Sequence, residues 1–462
     1  MNNNSDSDHP NVLFVSFDDM NHYVGFLGRH PDAVTPNLNR LAETGVVFER
    51  AYCQAPICNP SRASLMSGLR PSTTGVYNNR QPLRFSPRGR DVATLPQHFR
   101  SNGYRTTGSG KVFHGKFPDP MSWDSYFPSP QKQGYPGPAY ESPLNGMKDM
   151  GNVDWGGVDC DNADMADAKS VSYCIDQLQQ KHDQPFFLTC GQTVTHLTWM
   201  TPQSVFDRFN PASITLPDVR EDDLDDVPAV PTRWANRKVH TRLRDEHRWR
   251  DAVASYLACI HFADIQMGRL FDALEASEYA RNTVIVFWAD HGWHLGEKHH
   301  WKKSTLWEEA TRVPLLIAGP GIAPGRCTSP VGLIDIYPTL IDLCGLTDRA
   351  DLEGQSLTPL LSEPTADWER PAITTHGREN HAVRTERWRY IRYHDGSEEL
   401  YDHDTDEMEW KNLAEEPSLA SVKEALAQWM PEQNADDSEI VEWPEDGDAY
   451  EARMAEIAAE QL

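Results

Sequence analysis

The run Cys58-Asn59-Pro60-Ser61-Arg62 places a thiol, a hydroxyl and a guanidinium within one helical turn. A proline in the first turn of a helix costs little, because the N–H it lacks would be unpaired there anyway, and asparagine is a good cap. Asn59 is therefore expected to cap a helix that starts at Pro60. Cys58 then sits just before a helix N-terminus, where backbone N–H groups and the helix dipole favour an anion. A buried thiol beside an ordinary cap would account for Cys58 alone. The full string, continued by Ala63-Ser64-Leu65-Met66-Ser67-Gly68, argues for chemistry at this position.

Asp18-Asp19 and Asp290-His291 each follow a short apolar run. Carboxylates brought together repel one another unless a cation sits among them, and oxygen ligands of this kind suit Ca²⁺ or Mg²⁺. Taken alone, Asp18-Asp19 would read as a strand-end cap. His291 would add a nitrogen donor, unusual for a hard cation. Five of the twelve lysines fall in two short segments, Lys111 and Lys116, then Lys298, Lys302 and Lys303. In a chain with 69 acids against 43 bases, that is a local positive patch of the kind an anionic substrate needs. Lys116, Lys298 and Lys302 are expected in solvent, and His294, His299 and His300 in surface or core roles.

Short apolar runs supply the elements that position these groups. Asn11–Phe17 reads as a strand ending at Asp18, and Thr283–Ala289 as one ending at Asp290. Pro185–Gly191 and Val313–Ala318 are two more, with helices expected over Pro36–Gly45 and Asp251–Tyr279. Strands alternating with helices argue for a largely parallel sheet between helices, with ligands at the carboxyl edge of the strands. After about residue 370, Ala372–His376, Ala382–Thr385, Trp388–His394 and Leu400–Tyr401 read as a small antiparallel subdomain, which divides the chain into 1–370 and 371–462. Phe117–Asp154, rich in Pro, Gly, Ser and Tyr, reads as a long loop on one face. Residues 431–462 hold eleven acids and one base and are expected to form a solvated tail or surface helix.

The segment around Cys58 resembles the modification motif of type I sulfatases, in which the cysteine is oxidised to formylglycine. Gly103-Tyr104-Arg105-Thr106-Thr107-Gly108-Ser109-Gly110-Lys111-Val112-Phe113-His114 resembles a second motif of that family. The order Asp18-Asp19, Cys58, Lys111, Asp290-His291-Gly292 is similar to it as well. The resemblance covers about residues 11–414. It is strongest to the iduronate-2-sulfatase-like branch, through Phe17-Asp18-Asp19-Met20, Asp290-His291-Gly292-Trp293-His294-Leu295-Gly296-Glu297 and Trp388-Arg389-Tyr390. Where that branch carries His-x-Pro-His, this chain has Gln192-Thr193-Val194-Thr195-His196 and keeps the final histidine alone.

The resemblance implies an alkaline-phosphatase-like α/β fold and a sulfuric ester hydrolase acting on a sulfated saccharide. It implies catalytic roles for Cys58, Arg62, Lys111, His114, His196 and Lys303. It also implies one divalent cation, Ca²⁺ or alternatively Mg²⁺, held by Asp18, Asp19, Cys58, Asp290 and His291. A formylglycine-generating maturation enzyme would be a partner. The alternatives are a phosphonate monoester or phosphodiester hydrolase of the same superfamily, a generalist arylsulfatase, or a carbohydrate-binding relative without catalysis. Arg80 and Arg84 are candidates for gripping a neighbouring carboxylate of the substrate, against a solvated loop role.

Composition narrows the field further. A net charge of -26 argues against nucleic acid as a partner. No apolar run approaches the length of a membrane span, and the mean hydropathy is -0.61. The opening Met1–Pro10 has neither a basic nor an apolar stretch, so the chain as it stands reads as cytoplasmic, or as exported if a signal has been trimmed. Eight scattered cysteines without Cys-x-x-Cys spacing read as buried free thiols. Oligomeric state is left open.

Overall fold

The computed structural model describes residues 9–129, 136–442 and 447–460. The main sheet has nine strands: β1 (Asn11–Phe17), β2 (Gly45–Tyr52), β3 (Arg105–Ser109), β4 (Ser125–Phe127), β5 (Phe186–Gln192), β6 (Thr283–Ala289), β7 (Arg312–Ala318), β8 (Gly325–Cys327) and β9 (Val331–Gly332). Their order is β8-β2-β7-β6-β1-β5-β3-β4, with β9 also paired to β2. β1 is buried along its whole length, as expected for a central strand covered on both faces. Phe14 on β1 packs against Phe187 and Trp288 of the flanking strands, ring centres 5.4 and 5.5 Å apart.

β1 pairs in parallel with β5 and β6, and Phe17 lies level with both Gln192 and Ala289. The residues that follow all three strands therefore leave the sheet side by side at one edge. Only β7 runs the other way among these strands, antiparallel to β6 and β2. The reason is local. The segment 290–311 leaves β6 at the carboxyl edge, stays there, and re-enters the sheet from that edge.

Two groups of helices flank the sheet. α1 (Pro36–Ala42) and a helix at Ala166–Leu178 pack on the long helix Trp249–Glu275, whereas Cys58–Ser67 packs with Leu95–Ser101 and Ile336–Cys344. The long helix starts two residues before its expected Asp251 and stops at Glu275 rather than Tyr279. The Tyr279 hydroxyl donates to Gln180 O outside the helix.

Ala372–Thr375, His381–Arg384, Trp388–Arg392 and Glu398–Asp402 form the expected antiparallel sheet, in sequence order. It is stitched to the larger sheet just before the Cys58–Arg62 segment: Thr375 N donates to Gln54 O (2.8 Å), and Thr374 Oγ1 to Cys53 O (2.6 Å). A buried charge cluster adds to this tie. Glu308 meets Arg384 Nε at 3.3 Å and also Arg389, whose Nε lies 2.5 Å from Glu409.

The acidic C-terminal stretch is docked along much of its described length. Residues 435–441 run against the segment 72–80 through backbone hydrogen bonds, and the helix Gly447–Glu460 buries Tyr450, Met454 and Ile457 against Phe85, Phe117 and Val441. The expected long loop Phe117–Asp154 contains edge strand β4, paired in parallel with β3. Its residues 130–135 lie outside the described residues, as do residues 1–8, on which the leader reading rests, and 443–446 and 461–462 of the acidic stretch.

One close approach at the carboxyl edge needs glycine on both sides. Gly110 has a left-handed φ of 81°, and a Cβ there would lie 1.8 Å from Gly191 O; a Cβ on Gly191 would lie 2.4 Å from the backbone of Lys111. The chain bearing Lys111 is thereby pressed against the end of β5. Gly191→Ala should lower stability by about 1–3 kcal/mol, the usual range for overpacking, and displace Lys111. The checks are a lower urea midpoint together with loss of turnover; an unchanged midpoint and full activity would contradict this packing argument.

Candidate active site

The helix carrying the Cys58–Arg62 segment begins at Cys58 itself, with Ile57 extended before it. Asn59 is not its cap, contrary to expectation. Its side-chain amide donates to Asn78 O and Gln81 O (2.9 and 2.7 Å), and its own N–H is satisfied by Asn79 Oδ1 at 2.9 Å. Cys58 therefore occupies the first helical turn, with Sγ 3.1 Å from Lys303 Nζ, 3.3 Å from His291 Nε2 and 3.8 Å from Asp19 Oδ1.

Asp18 and Asp19 follow β1, and Asp290 and His291 follow β6; all four are fully buried. Asp19 N donates to Asp290 Oδ1 at 3.0 Å, and His291 Nε2 lies 3.2 Å from Asp19 Oδ1 and 3.5 Å from Asp290 Oδ1. Donor atoms of Asp18, Cys58, Asp290 and His291 lie within 4.8 Å of one another, as do those of Asp18, Asp19, Cys58 and His196. Asp18 Oδ1 and Asp19 Oδ2 are buried without a hydrogen-bond partner. Such oxygens are costly unless a cation or donor meets them, and the donor set of carboxylates with one imidazole fits a divalent cation.

Cationic side chains surround these acids. Burial alone would raise the Asp18 carboxyl, but Lys111, His196, Arg62 and Lys303 hold it well below the usual carboxylate range. Burial likewise opposes ionisation of Asp19, and Lys303 with His196 overcomes it. Lys111 Nζ pairs with Asp18 Oδ2, and Lys303 Nζ with Asp19 Oδ1 at 2.5 Å. Three carboxylates thus face three cations, Arg62, Lys111 and Lys303. Such a cage can accept a divalent cation and a sulfate dianion together without net change in charge.

Arg62 is completely buried and joins three strand ends. Its Nε donates to Asp290 Oδ2 (2.8 Å), Nη1 to Lys111 O and Val112 O (2.7 and 3.0 Å), and Nη2 to Phe17 O (3.1 Å); Asp18 Oδ1 is 3.6 Å away. The Lys111 and Lys303 side chains are each 13% exposed and that of His196 is 31% exposed, so these three form the accessible rim. His196 Nε2 is 3.8 Å from Asp19 Oδ2. His114 is half-buried with Nδ1 buried and unpartnered, and burial, assisted by the charge of Lys111, holds its imidazole well below the ordinary range and so neutral. Burial and then Asp18 push the Cys58 thiol up, which Lys111 and Lys303 only partly offset.

Three supporting residues were not singled out from the sequence. Asp167 accepts from Thr193 N and Val194 N (2.8 and 2.6 Å), and Thr195 Oγ1 donates to Asp18 O (2.7 Å), which fixes the turn bearing His196. The Tyr256 hydroxyl donates to Asp19 O (2.7 Å) and accepts from Asn21 N (2.8 Å). Non-glycine residues with left-handed φ gather here: Asp19 (61°), Thr195 (87°), and Lys302 and Ser304 (84° and 77°) on either side of Lys303. Each costs on the order of 1 kcal/mol or more and persists only where its surroundings over-determine it. The Tyr256 and Asp290 bonds to Asp19 do so at that residue.

Other candidates lie elsewhere. Arg84 is buried rather than solvated, and its guanidinium is spent on Asp119 (2.9 Å at Nε and at Nη2) and on Val92 O (2.7 Å). Arg80 is an exposed partner of Glu442. Lys298, expected in solvent, is buried against Asp223 at 2.7 Å. Lys302 is half-buried and reaches Asn152, and Lys116 is exposed as expected. His294, His299 and His300 are buried. His300 Nε2 contacts Lys303 O at 2.9 Å, which helps set the Lys303 backbone.

The chain matches the family model Sulfatase over residues 10–346 and the model N-sulphoglucosamine sulphohydrolase, C-terminal, over residues 296–436. It is 38% identical to a sulfatase of Formosa agariphila over 93% of this chain and 87% of that one. It is 30% identical to choline-sulfatase of Rhizobium meliloti (88% and 83% covered) and 30% identical to iduronate 2-sulfatase of Mus musculus (74% and 70% covered). A solved structure in complex with its substrate D-glucosamine-2-N,6-O-disulfate shares the fold, with a TM-score of 0.72 at 22% identity over 91% of this chain and 96% of that one. With this match spanning most of its length and the motif residues gathered at one sheet edge, the chain belongs to the sulfatase family and is a sulfuric ester hydrolase.

Proposed function

We propose that the enzyme removes sulfate from a sulfated saccharide, with position 58 acting as formylglycine and Asp18, Asp19, Asp290 and His291 around one divalent cation, Ca²⁺ or alternatively Mg²⁺. The observation that carries this reading is the setting of Cys58. Its Sγ lies between Lys303 and His291 at a helix N-terminus, opposite two orphaned carboxylate oxygens. A maturation enzyme would convert the cysteine. Formylglycine supplies a hydrated aldehyde whose hydroxyl is the nucleophile towards sulfur. A bound cation supplies positive charge beside the sulfate oxygens.

The chain's own residues do the remaining work. Arg62 fixes Asp290 and the Lys111 backbone, so both strand-end loops are set before substrate arrives. Lys111 Nζ and Lys303 Nζ flank position 58 and hold negative charge on the nucleophile and the sulfate. His196 and Lys303 face the rim, where one of them delivers a proton to the departing alcohol oxygen. His114, half-buried and neutral, takes the proton from the remaining hydroxyl at position 58 when sulfate leaves.

The saccharide reading draws on the relatives acting on iduronate, and on rim cations able to meet an acidic sugar. Specificity constants should be compared for a 2-O-sulfated uronate, a 6-O-sulfated hexosamine, choline sulfate, an aryl sulfate and an aryl phosphonate monoester. A sulfated saccharide should be preferred by at least tenfold. The saccharide reading fails if choline sulfate or the aryl sulfate is best and neither sugar is touched, and dominant phosphonate hydrolysis would shift the assignment to the phosphonate alternative.

Removal of the metal is a separate test. Exhaustive chelation should abolish turnover and lower the thermal midpoint, because a ligand bound only by the folded state stabilises it. Ca²⁺ or Mg²⁺ should restore both. Full turnover in protein shown to be metal-free would contradict the role given to Asp18, Asp19, Asp290 and His291.

A further inference from the structure

The opposite end of the nucleophile helix opens on a second polar cleft. Cys58–Ser67 is ten residues long, about 15 Å at 1.5 Å per residue, and Arg70 follows its end by three residues. Arg70, Arg88 and Trp429 line a cleft of about 730 Å³, together with backbone and amide groups of 431–435. That volume lies within the range of small-ligand sites.

The charges in this cleft are arranged for an anion. Among the described residues, neither the Arg70 nor the Arg88 guanidinium has a hydrogen-bond or ion-pair partner. The nearby acid Glu353 does not serve them, because its two oxygens accept from Arg70 N and Thr73 Oγ1, each at 2.5 Å. The other lining acid, Glu432, is exposed. Burial disfavours the Arg70 charge more than Asp335 and Glu353 restore it. A partly desolvated guanidinium without a partner is costly, and a carboxylate or sulfate would pair with it bidentately. Trp429 is 39% exposed, one of the few large apolar side chains left in solvent. Its flat apolar ring offers a platform beside the charges.

We infer that this cleft is an accessory site for an acidic saccharide unit, with its sulfate or carboxylate on Arg70 and Arg88 and its ring against Trp429. The saccharide class rests on the proposed substrate reading; the anion preference rests on the cleft alone. Because the cleft is a helix length from position 58, it would hold a unit of the polymer other than the one being desulfated. It would thereby raise the effective concentration of the chain at the enzyme.

The test is calorimetric titration of the full chain carrying Cys58→Ala with three probes: a size-defined sulfated oligosaccharide, its desulfated counterpart and inorganic sulfate. The sulfated oligosaccharide should show two sites. One of them should weaken by roughly tenfold on adding Arg88→Gln with Trp429→Ala and should weaken with salt. Both substituted residues are exposed at the cleft, so turnover of a small aryl sulfate by Arg88→Gln/Trp429→Ala protein with Cys58 intact should be unchanged, which verifies the fold. Arg70→Gln should have the same effect on binding. An isotherm unaffected by the Arg88 and Trp429 substitutions overturns the inference. Inorganic sulfate binding there as tightly as the oligosaccharide overturns the saccharide class. Binding at the cleft by a saccharide the enzyme never desulfates would defeat the substrate reading and leave this inference standing.

Discussion

A completely buried arginine at the meeting point of three loops sets the conditions for everything around it. Arg62 can remain charged in the interior because Asp290 and Asp18 face it and the carbonyls of Phe17, Lys111 and Val112 accept its remaining protons. The dependence runs both ways. Leaving a buried charge without its partner costs about 3–5 kcal/mol, so removing either Arg62 or the acids it meets would strand the other. One side chain on the helix Cys58–Ser67 thereby holds the ends of β1 and β6 and the turn after β3 in a common frame.

Lys111 and Lys303 complete the arrangement from the rim. Each is tied to one of the paired aspartates on either side of position 58, so acids and bases balance within the cage. The left-handed backbone at Asp19, Thr195, Lys302 and Ser304 is the conformational cost of aiming these groups from three different segments. The sheet makes that cost bearable, because β1, β5 and β6 end level and the long helix Trp249–Glu275 presents Tyr256 to Asp19 from behind.

Much of this was legible in the sequence, for a physical reason. Runs such as Asn11–Phe17 and Thr283–Ala289 are mostly apolar, without the alternation of a half-exposed strand, a pattern that burial on both faces imposes, and each is followed at once by acids that an apolar interior could not hold unpaired. The Cys58–Arg62 string marked a helix start because proline is tolerated in the first turn and not further in. Partnerships between residues far apart in the chain leave no such mark. Asp167 resembles any acid in the first turn of a helix, Tyr256 any aromatic on a buried helix face, and Arg84 any loop charge; their roles come from Thr193, Asp19 and Asp119. The direction of β7 was likewise invisible, since it follows from segment 290–311 staying at the carboxyl edge, and Lys298 gives no hint that Asp223 waits for it inside.

The central claim is that sulfate-ester cleavage happens at position 58 and requires its conversion to formylglycine. The most direct measurement is sulfate release by preparations expressed with graded amounts of a formylglycine-generating enzyme, with the converted fraction read from the mass of the peptide containing position 58. The account predicts that turnover per mole of protein rises in proportion to the converted fraction and extrapolates to zero at none. Turnover independent of that fraction, with full activity in protein carrying only unmodified Cys58, would contradict it.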